Sequence, residues 1–220
     1  MIKPDQIIRS NRKTLSLSVD IFGRLIVRAP KRYSDERIFA FIRQKENWII
    51  RQKTKMQGAG TRLPSENLDG YTLTLLGKPC IITLTNAQFV QYDGENNRLF
   101  VPKTNANQRL VKWLKENAER IFAQATAKAA MEMGVTYKSI SVTSAKTRWG
   151  SCSGKDAIHY SFRLIYAPKE VVEYVVYHEL AHVRHKNHSL QFWREVEKYC
   201  PAWRIYRGWL KQNAYLMHVL

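Results

Sequence analysis

Residues 177–189, YHELAHVRHKNHS, contain four histidines and one glutamate. His178 and His182 are four residues apart, so a helix that turns about 100° per residue places both imidazoles on one face, about 40° apart. Glu179 lies about 100° around the helix from His178, beside the pair. This spacing predicts a metal held by two histidines, next to a carboxylate that can take a proton from water, as in the H-E-x-x-H signature of zinc hydrolases.

Three residues compete for the place of third ligand, because a catalytic zinc usually combines three protein ligands with one open position. His185 points the same way as the first pair but lies about 10 Å along the axis from the first histidine. His188 needs the chain to turn back, and Asn187 in a left-handed conformation followed by Ser189 as a helix cap supplies that turn. Glu195, in the next helix, is the third option. His188 is favoured, and the other two stay open.

The sequence around the motif predicts the elements that position it. Residues 139–167 have the pattern of a strand, a glycine-containing loop and another strand, and Pro168 then opens the motif helix at its first turn. Two further helical patterns follow at residues 190–199 and 203–216. The motif helix is therefore expected to lie between a small sheet and two C-terminal helices.

The N-terminal part has a β pattern with one helix. Residues 14–28 alternate apolar and polar around the turn Phe22-Gly23-Arg24, which predicts a hairpin. Ser34 is predicted to cap a helix that runs to about Lys55 and has a basic outer face. Turn-forming residues at 58–70 predict a linker or loop.

The middle of the chain returns to strands and then forms a long helix. Strand patterns occur in YTLTLLGKPCIITLTN, FVQYD and RLFVP, and helical spacing from Ala106 to Met133 predicts a helix that Gly134 ends. The fold class expected is α+β. We expect two domains: residues 1–105, a β-rich N-terminal region with one basic helix, and residues 106–220, which hold a small sheet and the H-E-x-x-H helix.

The charge is unusual for a chain of 220 residues. Lys and Arg number 36 against 18 Asp and Glu, a formal net charge of +18. Residues 1–60 hold 14 of the basic and 5 of the acidic residues, so about a quarter of the chain carries half of the excess. Such a surface attracts polyanions, nucleic acid among them, or is simply a solvated basic surface.

Cysteine usage and hydropathy bear on the compartment. Cys80, Cys152 and Cys200 are far apart and leave one over under any pairing, which is not the pattern of a disulfide framework. No stretch approaches the roughly 18 apolar residues that a membrane span needs. We therefore expect a cytoplasmic protein without membrane association.

Several motifs together resemble those of the YgjP-like metallopeptidases of the zincin superfamily, which look related to the SprT-type proteases. These motifs are HELAH followed by HKNHSLQFW, KTRWGSCS before them, and NRKTLSLSV, GRLIVRAPK, QKENWI and LGKPC in the N-terminal half. The resemblance covers nearly the whole chain and implies a zincin-like domain with a Zn²⁺ cofactor. It implies that His178, His182 and His188 are the zinc ligands and Glu179 is the catalytic carboxylate. One departure is Ser161-Phe162-Arg163-Leu164, where members often read Asn-Trp-Arg-Leu.

The resemblance also suggests substrate-binding residues. It places Arg148 and Trp149 near the metal, where they would contact substrate, although Trp149 could instead fill the core. Tyr160, His159 and Arg148 are candidates to stabilise an oxyanion, and Tyr160 has the alternative of a core-facing strand residue. Residues 157–164 are predicted to lie at the edge of the cleft and to pair with an extended peptide.

The function predicted is a zinc-dependent metallohydrolase, foremost a metallopeptidase that uses Glu179 as general base on a polypeptide substrate. One alternative keeps the same site but hydrolyses phosphoanhydrides, as a nucleotide pyrophosphohydrolase acting on UTP, for example, would. Another is a nucleic-acid-associated protease, or a module with a structural metal. The excess of Lys and Arg motivates both alternatives, but no P-loop or magnesium-binding carboxylate cluster accompanies it.

Overall fold

The structure is a computed structural model that describes residues 2–19, 23–58 and 68–219. The chain forms two compact units, Met1–Arg62 and Leu63–Leu220. Helices and small sheets occur in both, so the predicted α+β fold class is confirmed. The division into functional domains at residues 105 and 106 stays a prediction. Most of the predicted linker, residues 59–67, and the turn residue Phe22 lie outside the described residues.

A three-stranded sheet of order β1-β3-β2 forms the first unit together with two helices. The predicted hairpin is confirmed, because β2 and β3 pair antiparallel. β1 was not predicted, and it pairs parallel with β3. Its short polar-rich sequence has no clear alternation, so only pairing with β3 identifies it as a strand. The strands are β1 Gln6–Ser10, β2 Ser16–Val19 and β3 Leu25–Pro30.

The basic segment after this sheet forms two helices, α1 (Asp35–Gln44) and α2 (Glu46–Gly58), where the spacing predicts one. The Ser34 hydroxyl accepts the Arg37 N–H and caps α1 as predicted. Lys45 separates the helices with φ −105° and ψ 12°. The break does not change the face that is buried, since Ile38 and Ile42 before it and Ile49 after it all lie in the core of this unit.

A four-stranded sheet of order β4-β5-β7-β6 begins the second unit. A two-residue turn joins β4 to β5, and both of its residues, Leu76 and Gly77, have positive φ. The Leu76 N–H donates to the Ile165 carbonyl at 2.7 Å, and a Cβ on Gly77 would lie 2.9 Å from the Pro168 Cα. The turn therefore packs against the start of the motif helix. The strands are β4 Thr72–Leu75, β5 Lys78–Thr85, β6 Gln91–Asp93 and β7 Arg98–Pro102.

The long helix α3 (Ala106–Met133) has the predicted bounds, and Gly134 ends it in the left-handed conformation with φ 63°. A second sheet of order β8-β10-β9 follows, in which β10 pairs parallel with β8 and antiparallel with β9. The prediction that residues 157–164 form an edge strand is wrong, because β10 has a strand on each side, and the edge strands of this sheet in the described chain are β8 and β9. The strands are β8 Ser139–Thr143, β9 Gly150–Cys152 and β10 Ala157–Ser161.

The motif helix α4 (Lys169–Arg184) packs against α3, β9 and the two helices that follow it. Those helices are α5 (Leu190–Tyr199) and α6 (Trp203–Gln212), and a short 3-10 helix at Ala214–His218 ends the described chain. One apolar side of α4 lies in the core, since Val172, Val176 and Leu180 are buried. Among the described residues no helix combines the length and apolar character of a membrane span.

Alanine at Gly77 should destabilise the second unit through both its backbone conformation and its contact with Pro168. Gly70 has a similar φ, +73°, but open space around its Cβ position, so Gly70→Ala isolates the conformational cost of about 1–2 kcal/mol. We expect Gly77→Ala to cost about 1–3 kcal/mol more than Gly70→Ala, measured by urea unfolding. Equal losses in the two variants would show that the turn does not press on the motif helix.

Candidate metal centre

The structure brings His178, His182 and His188 together. Their ligand atoms all lie within 4.8 Å of one another, and the Nε2 atoms of His178 and His188 are 3.1 Å apart. A tetrahedral zinc with Zn–N distances of about 2.0–2.1 Å separates two ligand nitrogens by about 3.3 Å. Three imidazoles at this spacing therefore fit a single metal ion.

The chain turns back between α4 and α5 by a route that differs from the predicted one. α4 ends at Arg184, and His185 continues in an extended conformation with φ −125° and ψ 99°. Asn187 does not have positive φ, so the predicted left-handed turn is wrong. Its side-chain oxygen instead accepts the Ser189 N–H at 3.2 Å, and the Ser189 hydroxyl caps α5 as predicted. The polar side chain of Asn187, rather than its backbone, orders the turn that carries His188.

His185 and Glu195, the two other candidates for third ligand, have different contacts. The His185 carbonyl accepts the Nδ1–H of His182 at 2.9 Å. This bond fixes the tautomer of His182 and leaves its Nε2 lone pair for a metal. The Glu195 carboxylate pairs with Arg184. Within the described chain neither residue joins the three-histidine cluster.

Burial favours the neutral form of two imidazoles of the cluster, those of His178 and His182. Burial is the main cause that lowers the pKa of His178 to about 3, and the positive charges of His182, His188 and Arg207 lower it further. Burial likewise lowers the pKa of His182. A neutral imidazole offers the lone pair that a metal needs, so the electrostatics of the cluster also suit metal binding.

Aromatic side chains from α5 support the cluster. The Phe192 ring is fully buried and lies 4.5–4.9 Å from the ring centroids of all three histidines. The Trp193 ring stacks on His188 at 5.6 Å with an interplanar angle of 24°. These contacts restrict the imidazoles and exclude water from one side. The motif pattern alone did not identify either residue, although they lie only three and four residues after the capping Ser189.

Glu179 is buried, with 5% of its surface exposed, beside the edge strand β9. A Cβ at Gly150 would lie 2.6 Å from the Glu179 Oε1, so the carboxylate occupies the space that the missing side chain leaves. The Cys152 N–H donates to the same carboxylate. Burial raises the pKa of Glu179 to about 8, while the Arg148 charge and the Cys152 amide oppose that rise. A carboxyl group with a pKa near neutrality is suited to accept and release protons.

The segment that precedes β9 carries Arg148 and Trp149. Arg148 is exposed and acts electrostatically on Glu179, and Trp149 is half-buried and packs against the core. Hydrogen bonds from Ser161 and Arg163 fix the position of this segment. Ser161 stands where family members often have Asn, and Arg163 agrees with the family motif. The Ser161 hydroxyl donates to the Ala145 carbonyl at 2.7 Å, and the Arg163 guanidinium donates to the Ser144 carbonyl at 3.0 Å.

Tyr160 and His159, the remaining substrate-binding candidates, lie on β10. Tyr160 is fully buried, its ring lies 5.4 Å from Phe122, and its hydroxyl is bonded to the Thr126 hydroxyl at 3.0 Å. Tyr160 is therefore a core-facing strand residue, and its hydroxyl is hydrogen-bonded inside the core. His159 Nδ1 lies 2.6 Å from the Ser141 hydroxyl. We assign neither residue a substrate contact.

The sequence match to a known family decides the assignment. A model of the YgjP-like metallopeptidase domain matches residues 13–213 of this chain. The chain belongs to the YgjP-like metallopeptidase family. As a YgjP-like protein it is a metallopeptidase-type hydrolase, and membership of this family implies a metal cofactor and a polypeptide substrate.

Similarity to solved structures is limited to a smaller part of this YgjP-like chain. The metallopeptidase zymogen abylysin of Pyrococcus abyssi is 23% identical with a TM-score of 0.40, and the match covers 42% of this chain and 93% of abylysin. The zymogen jannalysin of Methanocaldococcus jannaschii is 17% identical with a TM-score of 0.36, covering 40% and 94%. Among curated proteins none matches significantly. The family assignment therefore depends on the domain model alone.

Alanine at Gly150 should displace the Glu179 carboxylate, because the new Cβ would meet three of its atoms at 2.6–3.0 Å. We expect peptidase activity to fall about a hundredfold while the three histidines keep their metal. Gly154→Ala is the matched control, since nothing lies within 4 Å of a Cβ there. Full activity of Gly150→Ala, measured with equal zinc content, would contradict the proposed placement of Glu179.

Proposed function

We propose that this chain is a zinc metallopeptidase in which His178, His182 and His188 hold the ion and Glu179 is the general base. One observation carries the proposal: three imidazoles whose ligand atoms all lie within 4.8 Å of one another converge at the helix that also carries the buried carboxylate of Glu179. Three nitrogen ligands leave the fourth position of a tetrahedral zinc open, as in catalytic sites of this metal.

A zinc ion at this cluster would polarise the scissile carbonyl and lower the pKa of water. Glu179 takes a proton from the attacking water and then donates it to the leaving amine. Gly150 and the Cys152 amide keep the carboxylate in place for both transfers. Arg148 supplies positive charge on the same side, which favours the oxyanion that forms during attack.

We place the peptide substrate along β9. This strand is at the edge of its sheet in the described chain, and Gly150 and Cys152 within it contact Glu179. An extended peptide that pairs with an exposed strand edge gains backbone hydrogen bonds regardless of its side chains. Pairing with β9 would bring a peptide bond next to the general base.

The nucleotide pyrophosphohydrolase alternative would use the same cluster. Its motivation is the excess of Lys and Arg, whereas family membership favours a polypeptide substrate. The association with polyanions that the charge predicts also stays a prediction. A comparison of the products of wild type and Glu179→Gln, with unfolded protein and nucleoside triphosphates both present, tests the two substrate classes together.

Removal of one of the three proposed ligands should weaken metal binding strongly, and removal of the nearby His185 side chain should not. We expect His178→Ala to weaken zinc binding at least about a hundredfold, measured by competition with a chromogenic chelator. His185→Ala is the control, because the imidazole of His185 lies outside the cluster and its backbone carbonyl still accepts from His182. Comparable zinc loss in the two variants would rule out the three-histidine assignment.

Glu179→Gln should lower turnover about 10²–10⁴-fold with zinc content unchanged, since glutamine cannot accept the proton. The matched control is Glu170→Gln, an exposed residue in the first turn of the same helix. Zinc-loaded proteins are incubated with unfolded protein and nucleoside triphosphates, and the products are identified by mass spectrometry. New peptides made by wild type and Glu170→Gln support the peptidase. If wild type and Glu170→Gln form nucleoside monophosphate as their only product, the peptidase proposal is wrong and phosphoanhydride hydrolysis is the activity.

A further inference from the structure

A stack of aromatic rings extends from the metal cluster to α6. The Trp193 ring of α5 stacks on the ring of His188. It also stacks on the ring of Trp203, with the ring centroids 4.2 Å apart and an interplanar angle of 19°. Trp203 begins α6, and Arg207 follows one turn later on the same face. The guanidinium carbon of Arg207 lies 4.9 Å from the Trp193 ring and 6.0 Å from the Trp203 ring. The tryptophans thus hold a cation near the metal cluster.

The Trp193 ring lies between the Arg207 guanidinium and the histidines. The guanidinium lies 4.9 Å from the Trp193 ring, and that ring lies 5.6 Å from His188 and 5.7 Å from His178. Since an extended peptide advances about 3.3 Å per residue, the guanidinium is within about three residues of a peptide bond at the cluster.

Arg204, on the same helix as Arg207, provides a comparison, because its contacts within the protein include an acidic partner. Its guanidinium lies 4.5 Å from the Trp203 ring and is also paired with Glu197. Arg207 has the same kind of aromatic contact and is exposed, but it makes no ion pair anywhere in the part of the chain that the structure describes. Its N–H groups are therefore available to an incoming acceptor, in the planar fork that suits a carboxylate.

We infer that Arg207, held by Trp193 and Trp203, is a substrate subsite for a carboxylate close to the scissile peptide bond. The carboxylate belongs to an Asp or Glu side chain or to the C-terminus of the peptide. This subsite rests on the proposed peptidase function and gives it a preference for acidic substrates. The motif analysis did not identify Arg207, and the spacing Trp203-x-x-x-Arg207 is its only signal in the sequence.

Peptide binding tests the subsite without cleavage. The zinc-loaded full chain carrying Glu179→Gln is titrated with labelled peptides of equal length in which one Glu, or one Gln, is moved along the sequence. A second set has a free or an amidated C-terminus. We expect one Glu position, or the free C-terminus, to bind about ten- to a hundredfold tighter than its neutral counterpart. Which set shows the effect identifies the source of the carboxylate.

Three further substitutions in the same background assign the preference to its residue. Arg207→Gln should remove it, while Arg204→Gln, with the same change of charge on the same helix, should retain it. Arg207→Glu should move the tightest binding to a peptide with Lys at that position. Equal loss in Arg204→Gln and Arg207→Gln, or no acidic preference at any position, overturns the subsite.

Cleavage of the same peptides by the protein with Glu179 intact separates the two proposals. An acidic preference in binding without any cleavage would leave the subsite standing and contradict the peptidase. Cleavage without an acidic preference would support the peptidase and contradict the subsite.

Discussion

Arg184 makes a junction between three helices, and the three-histidine cluster is built around that junction. Its guanidinium pairs with Glu195 of α5 and donates to the carbonyls of Met133 and Gly134 at the end of α3. Arg184 is itself the last residue of α4, so one side chain links the ends of α3 and α4 to the helix that follows His188. Because His178 and His182 come from α4 and His188 from the chain just after it, the convergence of the three imidazoles depends on this junction. The left-handed Gly134 makes the carbonyls at the end of α3 accessible.

The proton transfer that we propose for Glu179 depends on a second close approach, between this residue and β9. The carboxylate is buried against the backbone of Gly150, where any side chain would displace it. Burial raises its pKa, and the Cys152 amide and the Arg148 charge moderate that rise, so strand and helix together set the basicity of the group. A divalent cation at the histidines would favour the carboxylate form further. Strand β9 thus positions the carboxylate that we propose as the general base and also offers the edge along which we place the substrate.

The aromatic residues of α5 and α6 extend the site beyond its ligands. Phe192 contacts all three imidazoles, and Trp193 and Trp203 continue the packing to Arg207. The same rings that restrict the histidines therefore fix a cation near them. Arg204 and Arg207 show how one helix can use the same residue type for packing and, in our proposal, for substrate recognition, according to whether an acidic partner is present.

The sequence by itself determined what depends on neighbours along the chain. Helical periodicity placed His178 and His182 on one face, Ser34 and Ser189 capped their helices, and Gly134 ended α3, because caps and periodicity are local. Tertiary structure decided what depends on residues distant in sequence: β1 is a strand only through β3, β10 is the central strand between β8 and β9, and Tyr160 faces the core. The contacts of Glu179 with Gly150, and of Arg207 with Trp193, likewise join segments whose approach no local pattern encodes.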